Sequence, residues 1–279
     1  MGHAVAAILQ RAGARVITNL SGRSEQTVAR ARKAEIEAVD DDATLARESD
    51  VFLSIAPPGE AFGIARRLAS ATTRRSTPMV YVDCNAVSPA SARAIGALVA
   101  PAGFTYVDAG IIGPPPQEGE TKTRFYASGA EASRFARLRE YGLDIRLVEG
   151  GIGAASAVKM CYAALTKGLM ALASQAFASA SQLGVADALR AELATSRPWV
   201  LEEADKGLPR VPPKAYRWIA EMEEIGATFA ASGFTPDLFE AIADVYRQVG
   251  AMEPGPLKDA DQYAAGLLAA LARRSTAAD

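Results

Sequence analysis

MGHAVAAILQRAGARVITNLSGRS, residues 1–24, is the stretch whose reading decides the fold. Ala4, Val5, Ile8, Leu9 and Ala12 recur at helical spacing, and Gly13 stands where a left-handed residue would end the helix. Val16-Ile17-Thr18-Asn19-Leu20 then reads as a short strand. A helix that runs into a strand is the middle of a βαβ unit. The strand expected before it is not among these residues. In the usual doubly wound order it would lie between the strands at Val16 and Val51. The pattern therefore predicts a strand of about 5–6 residues and a Gly-x-Gly-x turn encoded in frame upstream of Met1, with the start codon assigned too late.

The rest of the first half supports a βαβ reading. Ser24 or Thr27 starts a helix carrying Val28, Ala31 and Ala34, and DDATLARESD is a short acidic helix. VFLSIAPPGEAF (51–62) is a continuous apolar strand closed at Pro57-Pro58, as expected for a buried parallel strand. MVYVDCNAVSP, FTYVDAGIIGPPP, TRFYASG and DIRLVEGG supply further strands, with helices between the earlier ones. Beyond Gly150-Gly151-Ile152-Gly153 only helical periodicity remains. The expected architecture is α/β: a Rossmann-type doubly wound sheet, its first strand missing, over residues 1–150, and an all-α domain over 151–279.

Composition excludes several functions. The chain has 279 residues and a formal net charge of -2, so no bulk field draws it to nucleic acid or an anionic membrane. Cys84 and Cys161 lie far apart, which argues against a disulfide framework or a clustered metal site and suits a reducing cytoplasm. His3 is the only histidine, and it falls in the first turn of an amphipathic helix, so histidine-based catalysis is not expected. Gly168 to Ala186 carries no charge, but Ser174, Gln175, Ser179, Ser181 and Gln182 mark it as a packed helix rather than a membrane span. Its Ala and Ser content permits close helix approach and predicts a homodimer through the helical domain.

In a dinucleotide-binding βαβ unit the pyrophosphate sits at the first helix N-terminus, here Met1-Gly2. The second strand ends in Asn19-Leu20-Ser21-Gly22-Arg23-Ser24. No Asp or Glu stands there to hold ribose hydroxyls. A guanidinium between Ser21 and Ser24 suits a 2′-phosphate, so NADP is expected over NAD. The strand-end residues Ile55, Ala56, Pro57 and Asn85 complete the expected cofactor contacts.

Two motifs carry a resemblance. DAGIIGPPP (108–116) resembles the substrate loop of the β-hydroxyacid dehydrogenases, often D-A-P-V-S-G-G. GGIGAASAVKMCYAALTKG (150–168) resembles their interdomain motif, G-x-x-G-x-G-x-x-x-K-x-x-x-N. The family includes 3-hydroxyisobutyrate dehydrogenase and is related to 6-phosphogluconate dehydrogenase. AYRWIAEMEEIGATF and GFTPDLFEAIADVYRQV are similar to a prokaryotic branch with its own C-terminal helical domain.

The resemblance implies that Lys159 is the general acid/base, with its amine lowered toward neutrality by partial desolvation. It places substrate contacts at Ile112, Gly113, Tyr162, Arg217 and Glu221. Ile112 replaces the motif's serine, and Ala163 its asparagine, with Tyr162 beside it as a possible hydroxyl. Arg217 lies one turn before Glu221 and either holds a substrate anion or pairs with that glutamate. The expected function is hydride transfer between a nicotinamide and a hydroxyl or carbonyl carbon of a small substrate. The alternative is a non-catalytic paralogue that has lost dinucleotide binding together with its glycine-rich turn.

Overall fold

The computed structural model describes residues 1–71, 77–117 and 122–276. They form two compact units, Met1–Met160 and Cys161–Asp279.

The first unit contains helices α1 (Gly2–Arg11), α2 (Glu25–Lys33), α3 (Asp42–Glu48), α4 (Ala61–Ser70), α5 (Pro89–Val99) and α6 (Ala132–Ala136). Its strands are β1 (Ile17–Asn19), β2 (Glu37–Val39), β3 (Val51–Ser54), β4 (Val80–Asp83), β5 (Thr105–Ile112), β6 (Arg124–Ser128) and β7 (Asp144–Leu147). It also takes in the first turns of the long helix α7 (Ala154–Gln182). Three helix starts are fixed by side chains that accept a backbone N–H: Ser24 from Thr27, Asp41 from Thr44 and Ser88 from Ser91. Such caps contribute about 1 kcal/mol each.

The strands form two sheets. One has the order β3-β4-β5-β6-β7; the other is β1 paired in parallel with β2. No ladder joins β1 to β3 among the described residues, so the break falls between the Val16 and Val51 strands. Both sheets nevertheless lie between the same two cores. Val16, Val51 and Leu53 pack with Val5, Leu9, Val82 and Val107 on one side. Ile17, Val39 and Phe52 pack with Leu68, Tyr81 and Ile95 on the other. At ten residues α1 is too short to persist alone. Burial of Val5, Ala6 and Leu9 holds it in place, with the Val and Leu side chains each contributing about 1.5–3 kcal/mol.

Two features depart from expectation. β2 was not predicted; its residues Glu37 and Ala38 are exposed, so it lacks an apolar signature. β6 runs antiparallel to β5, so the sheet is mixed rather than wholly parallel. No helix is predicted between these two strands, and an antiparallel pair needs no helical crossover.

The second unit holds the remainder of α7 with α8 (Ala186–Ser196), α9 (Pro198–Gly207), α10 (Ala215–Ala231), α11 (Asp237–Val249) and α12 (Ala260–Thr276). α10 and α11 pack as a hairpin through Met222, Ile225, Phe239 and Ala243, turning at left-handed Gly233. The Tyr263 and Ser174 hydroxyls are 2.8 Å apart in the interior and tie α12 to α7. Among the described residues no helix is long and apolar enough to cross a membrane.

Candidate functional site

The chemistry-bearing residues of the first unit gather where β3, β4 and β5 end. Asn85 joins the first two of these ends. Its Oδ1 accepts the Ala56 N–H at 2.7 Å, and its Nδ2 donates to Ser54 Oγ at 2.9 Å and Asp83 Oδ1 at 2.6 Å. The Tyr106 hydroxyl donates to the other Asp83 oxygen at 3.2 Å. The expected cofactor contacts Ala56 and Asn85 therefore engage one another, and Asn85 is only 2% exposed. Their direct effect is to shape the Ile55-Ala56-Pro57 turn. Burial pushes the Asp83 carboxyl up to about 6; bonds from Asn85 oppose the rise, and nearby Asp108 adds to it.

The start of α1 lies beside that turn. A Cβ built on Gly2 would stand 3.9 Å from the Ile55 Cβ, so the structure brings Met1-Gly2 and Ile55 together. The Met1 carbonyl accepts the Ala4 and Val5 N–H groups. The earliest N–H groups of a helix have no intrahelical acceptor, which suits a phosphate. Burial lowers the pKa of His3, and the nearby charges of Arg30 and Lys33 lower it further, so His3 favours the neutral form.

At the end of β1 the Ser21 N–H donates to Asn19 Oδ1 at 2.9 Å. Gly22 takes a left-handed φ of 68° with open space where a side chain would be. Ser24 is committed to capping α2. Arg23 is exposed. Residues 19–24 hold no acid, as read from the sequence, but one reaches the strand end from another segment. β2 pairs with β1 so that Asn19 lies opposite Val39, and α3 starts just beyond, placing Asp42 at the strand end. Asn19 Nδ2 donates to one Asp42 oxygen at 2.8 Å and Arg67 Nε to the other at 2.8 Å. Burial raises the Asp42 pKa, but these two partners outweigh it and hold the carboxyl below its usual range. Sequence reasoning missed Asp42 because it missed β2.

β5 carries the most densely bonded group. Asp108 is fully buried, and its oxygens accept from Ser128 Oγ at 3.0 Å, Gly153 N at 2.9 Å, Ser156 N at 3.0 Å and Ser156 Oγ at 2.6 Å. Ser128 Oγ in turn accepts the Ala155 N–H at 2.9 Å. The carboxylate thus caps the first turn of α7 from the neighbouring strand, where the free N–H groups and the helix dipole favour negative charge. Two residues on, Gly110 lies under Lys159, which is half-buried on α7. The strand holds this helix at two points.

The expected substrate residues divide. Ile112 is 3% exposed, and its side chain belongs to the interior. Gly113 has a φ of 119°, and any Cβ there would collide with the Lys122 carbonyl. In the second unit Tyr162 is exposed on α7. Glu221 is buried and pairs with Lys167, whose amine lies 5.2 Å from the Trp218 ring centre. Of the two roles left open for Arg217, the pairing with Glu221 is taken by Lys167 instead. Arg217 is exposed and lies over the Tyr216 ring at 5.7 Å. Lys167 escaped notice because its partner is 54 positions away in sequence. No cluster of three or more potential metal ligands occurs among the described residues.

A helix N-terminus beside a strand-end turn, and an open turn bearing Arg23, fit the two ends of a dinucleotide. The comparisons identify a dinucleotide-binding domain. Residues 1–141 match the NAD binding domain of 6-phosphogluconate dehydrogenase, and residues 180–249 match a domain of unknown function, DUF1932. An uncharacterized 28.5 kDa protein of Methanothermus fervidus is 30% identical over 174 residues, 62% of this chain and 65% of that protein. The chain thus matches just under two thirds of that relative's length. A solved conserved protein of unknown function, described as structurally similar to 3-hydroxyacid dehydrogenases, is 30% identical with a TM-score of 0.65, over 88% of this chain and 93% of its own. The 3-hydroxyisobutyrate dehydrogenase of Mycobacterium tuberculosis, solved with L-serine, shares the fold at a TM-score of 0.68 and 20% identity, over 96% and 95% of the two chains. The chain belongs to the β-hydroxyacid dehydrogenase family, with the NAD-binding domain of 6-phosphogluconate dehydrogenase followed by a helical C-terminal domain.

Proposed function

We propose that the protein is an NADP-dependent oxidoreductase acting on the hydroxyl or carbonyl carbon of a small hydroxyacid, with Lys159 as general acid/base. The observation that carries this reading is the seating of Lys159 on β5, between a helix start capped by Asp108 and a strand position that only glycine fits. The nicotinamide, when bound, accepts or supplies the hydride. Met1-Gly2 and the Ile55-Ala56-Pro57 turn would hold its phosphates, and Arg23 its 2′-phosphate. In oxidation the neutral Lys159 amine takes the hydroxyl proton; in reduction the ammonium returns it to the oxygen. Fixing the helix fixes the root of the Lys159 side chain, which lowers the cost of orienting its amine for proton transfer.

The reading extends to assembly. Tyr162, Leu165, Leu172 and Leu183 are large, apolar and 44–77% exposed. With Leu169 between them, Tyr162, Leu165 and Leu172 recur at spacings of three and four residues along α7, and Leu183 follows just past its end, an exposed apolar stripe that suits a second copy of the chain. A cytoplasmic, homodimeric enzyme accounts for both this stripe and the two free cysteines.

Lys159→Met tests the catalytic assignment against a panel of short-chain 3-hydroxyacids. The turnover rate should fall by about 10²–10⁴-fold while NADPH affinity is retained. Unchanged turnover in the variant would remove Lys159 from the reaction. Failure of the native chain to turn over any hydroxyacid, with NADPH bound or not, would favour the non-catalytic reading.

A further inference from the structure

Four residues from three separate segments form one bonded chain at the end of β1. The Ser21 N–H donates to Asn19, Asn19 donates to Asp42, and Arg67 on α4 donates to Asp42. The Asp42 side chain is 15% exposed, whereas that of Arg67 is 54% exposed. A guanidinium has five N–H donors, and the bond to Asp42 uses the one on Nε. Arg67 is therefore anchored at its inner edge and open at its outer one. Arg23 lies close enough to help hold Asp42 in its charged form. Two guanidiniums, Arg67 and Arg23, thus approach the Asp42 carboxylate beside the turn that follows β1.

We propose that Arg67, anchored by Asp42, is a second cofactor-selecting residue that reads the 2′-phosphate of NADPH together with Arg23. The inference rests on the dinucleotide reading above. Its physical basis is that a ribose hydroxyl needs no cation, whereas a phosphate dianion gains from two planar, preorganised forks. Because Arg67 is half-exposed, solvent screens its pair with Asp42, which adds little to the fold. Stability alone gives little reason for a network that reaches across three segments to aim one guanidinium outward. Nothing near Arg67 in sequence announces this role, because its partner lies 25 positions earlier.

The test is calorimetric titration of the full chain with two ligand pairs that differ only in the 2′-phosphate: NADPH against NADH, and 2′,5′-ADP against 5′-AMP. Arg67→Ala should weaken the phosphorylated member of each pair by about tenfold and leave the other within about twofold. Arg67→Lys keeps the charge but not the fork, and should lose about threefold of the preference if the alanine variant does not fold. Equal weakening of both members would mean that Arg67 merely props Asp42, and no weakening would mean that it is a bystander; either overturns the proposal. If the native chain shows no preference for the phosphorylated ligands, the NADP reading falls and takes this inference with it. If the preference is present and is lost in Arg23→Ala but not in the Arg67 variants, only the inference falls.

Discussion

Gly110 and Lys159 are so close that a Cβ on the glycine would stand 2.8 Å from the Cβ of the lysine, with the Ala155 carbonyl 3.4 Å away. The obstructing atom belongs to the root of the side chain, so Lys159 cannot swing clear. Gly110→Ala must push α7 off the strand or twist the strand itself, at a cost of about 1–3 kcal/mol. The melting temperature should drop, and the turnover rate should fall more than the affinity for NADPH, because the amine moves while the nucleotide turns do not. A Gly110→Ala protein with native stability and turnover would show that this contact does not seat the lysine.

Asp83 makes stability depend on pH. Its carboxyl titrates at about 6 in the fold against an ordinary 3.8, so the folded state holds the proton more tightly than the unfolded chain does. The stabilisation is therefore present below about pH 4 and lost as pH rises through 6; the loss is on the order of 3 kcal/mol. Asp83→Asn removes this component; its one carbonyl oxygen still accepts from Asn85, and its amide N–H replaces the oxygen beside Tyr106 and donates to that hydroxyl instead. Urea unfolding of both proteins at several pH values from 4 to 7 should show the variant gaining stability relative to the native chain as pH rises. A difference that stays constant with pH would contradict the assignment.

The α7 stripe gives the proposed dimer a direct test. Leu165→Glu with Leu172→Glu places like charges at two of its most exposed positions, 77% and 65% open in the single chain. Sedimentation at micromolar concentration should give a dimer for the native protein and a monomer for the double variant. A native monomer would remove the assembly proposal, and a dimeric double variant would place the interface elsewhere.

The parts of the fold with a strong apolar signature were legible in the sequence. Val51–Ser54, Val80–Asp83 and Thr105–Ile112 are flanked by turns and rich in β-branched and aromatic residues. β2 was not, because Glu37 and Ala38 face solvent and its pairing with β1 is decided by tertiary context. The cost of missing it was Asp42, the acid that the sequence seemed to lack. Asp108 and Lys159 could be located through motifs, but the bonds that join them through Gly153 and Ser156 could not. Those bonds span 45 and 48 positions, and only the packing of α7 on β5 brings them together. The same holds for Glu221 and Lys167, 54 positions apart, where local i, i+4 spacing offered Arg217 as one candidate partner.

Whether this chain binds NADPH decides between the enzyme and a non-catalytic relative. Fluorescence of the reduced nicotinamide, followed as the purified protein is added, reads that binding without any substrate. The account predicts a saturable change, with an affinity for NADPH at least about tenfold tighter than for NADH. No saturable change with either dinucleotide would contradict it and leave the fold as that of a non-catalytic relative.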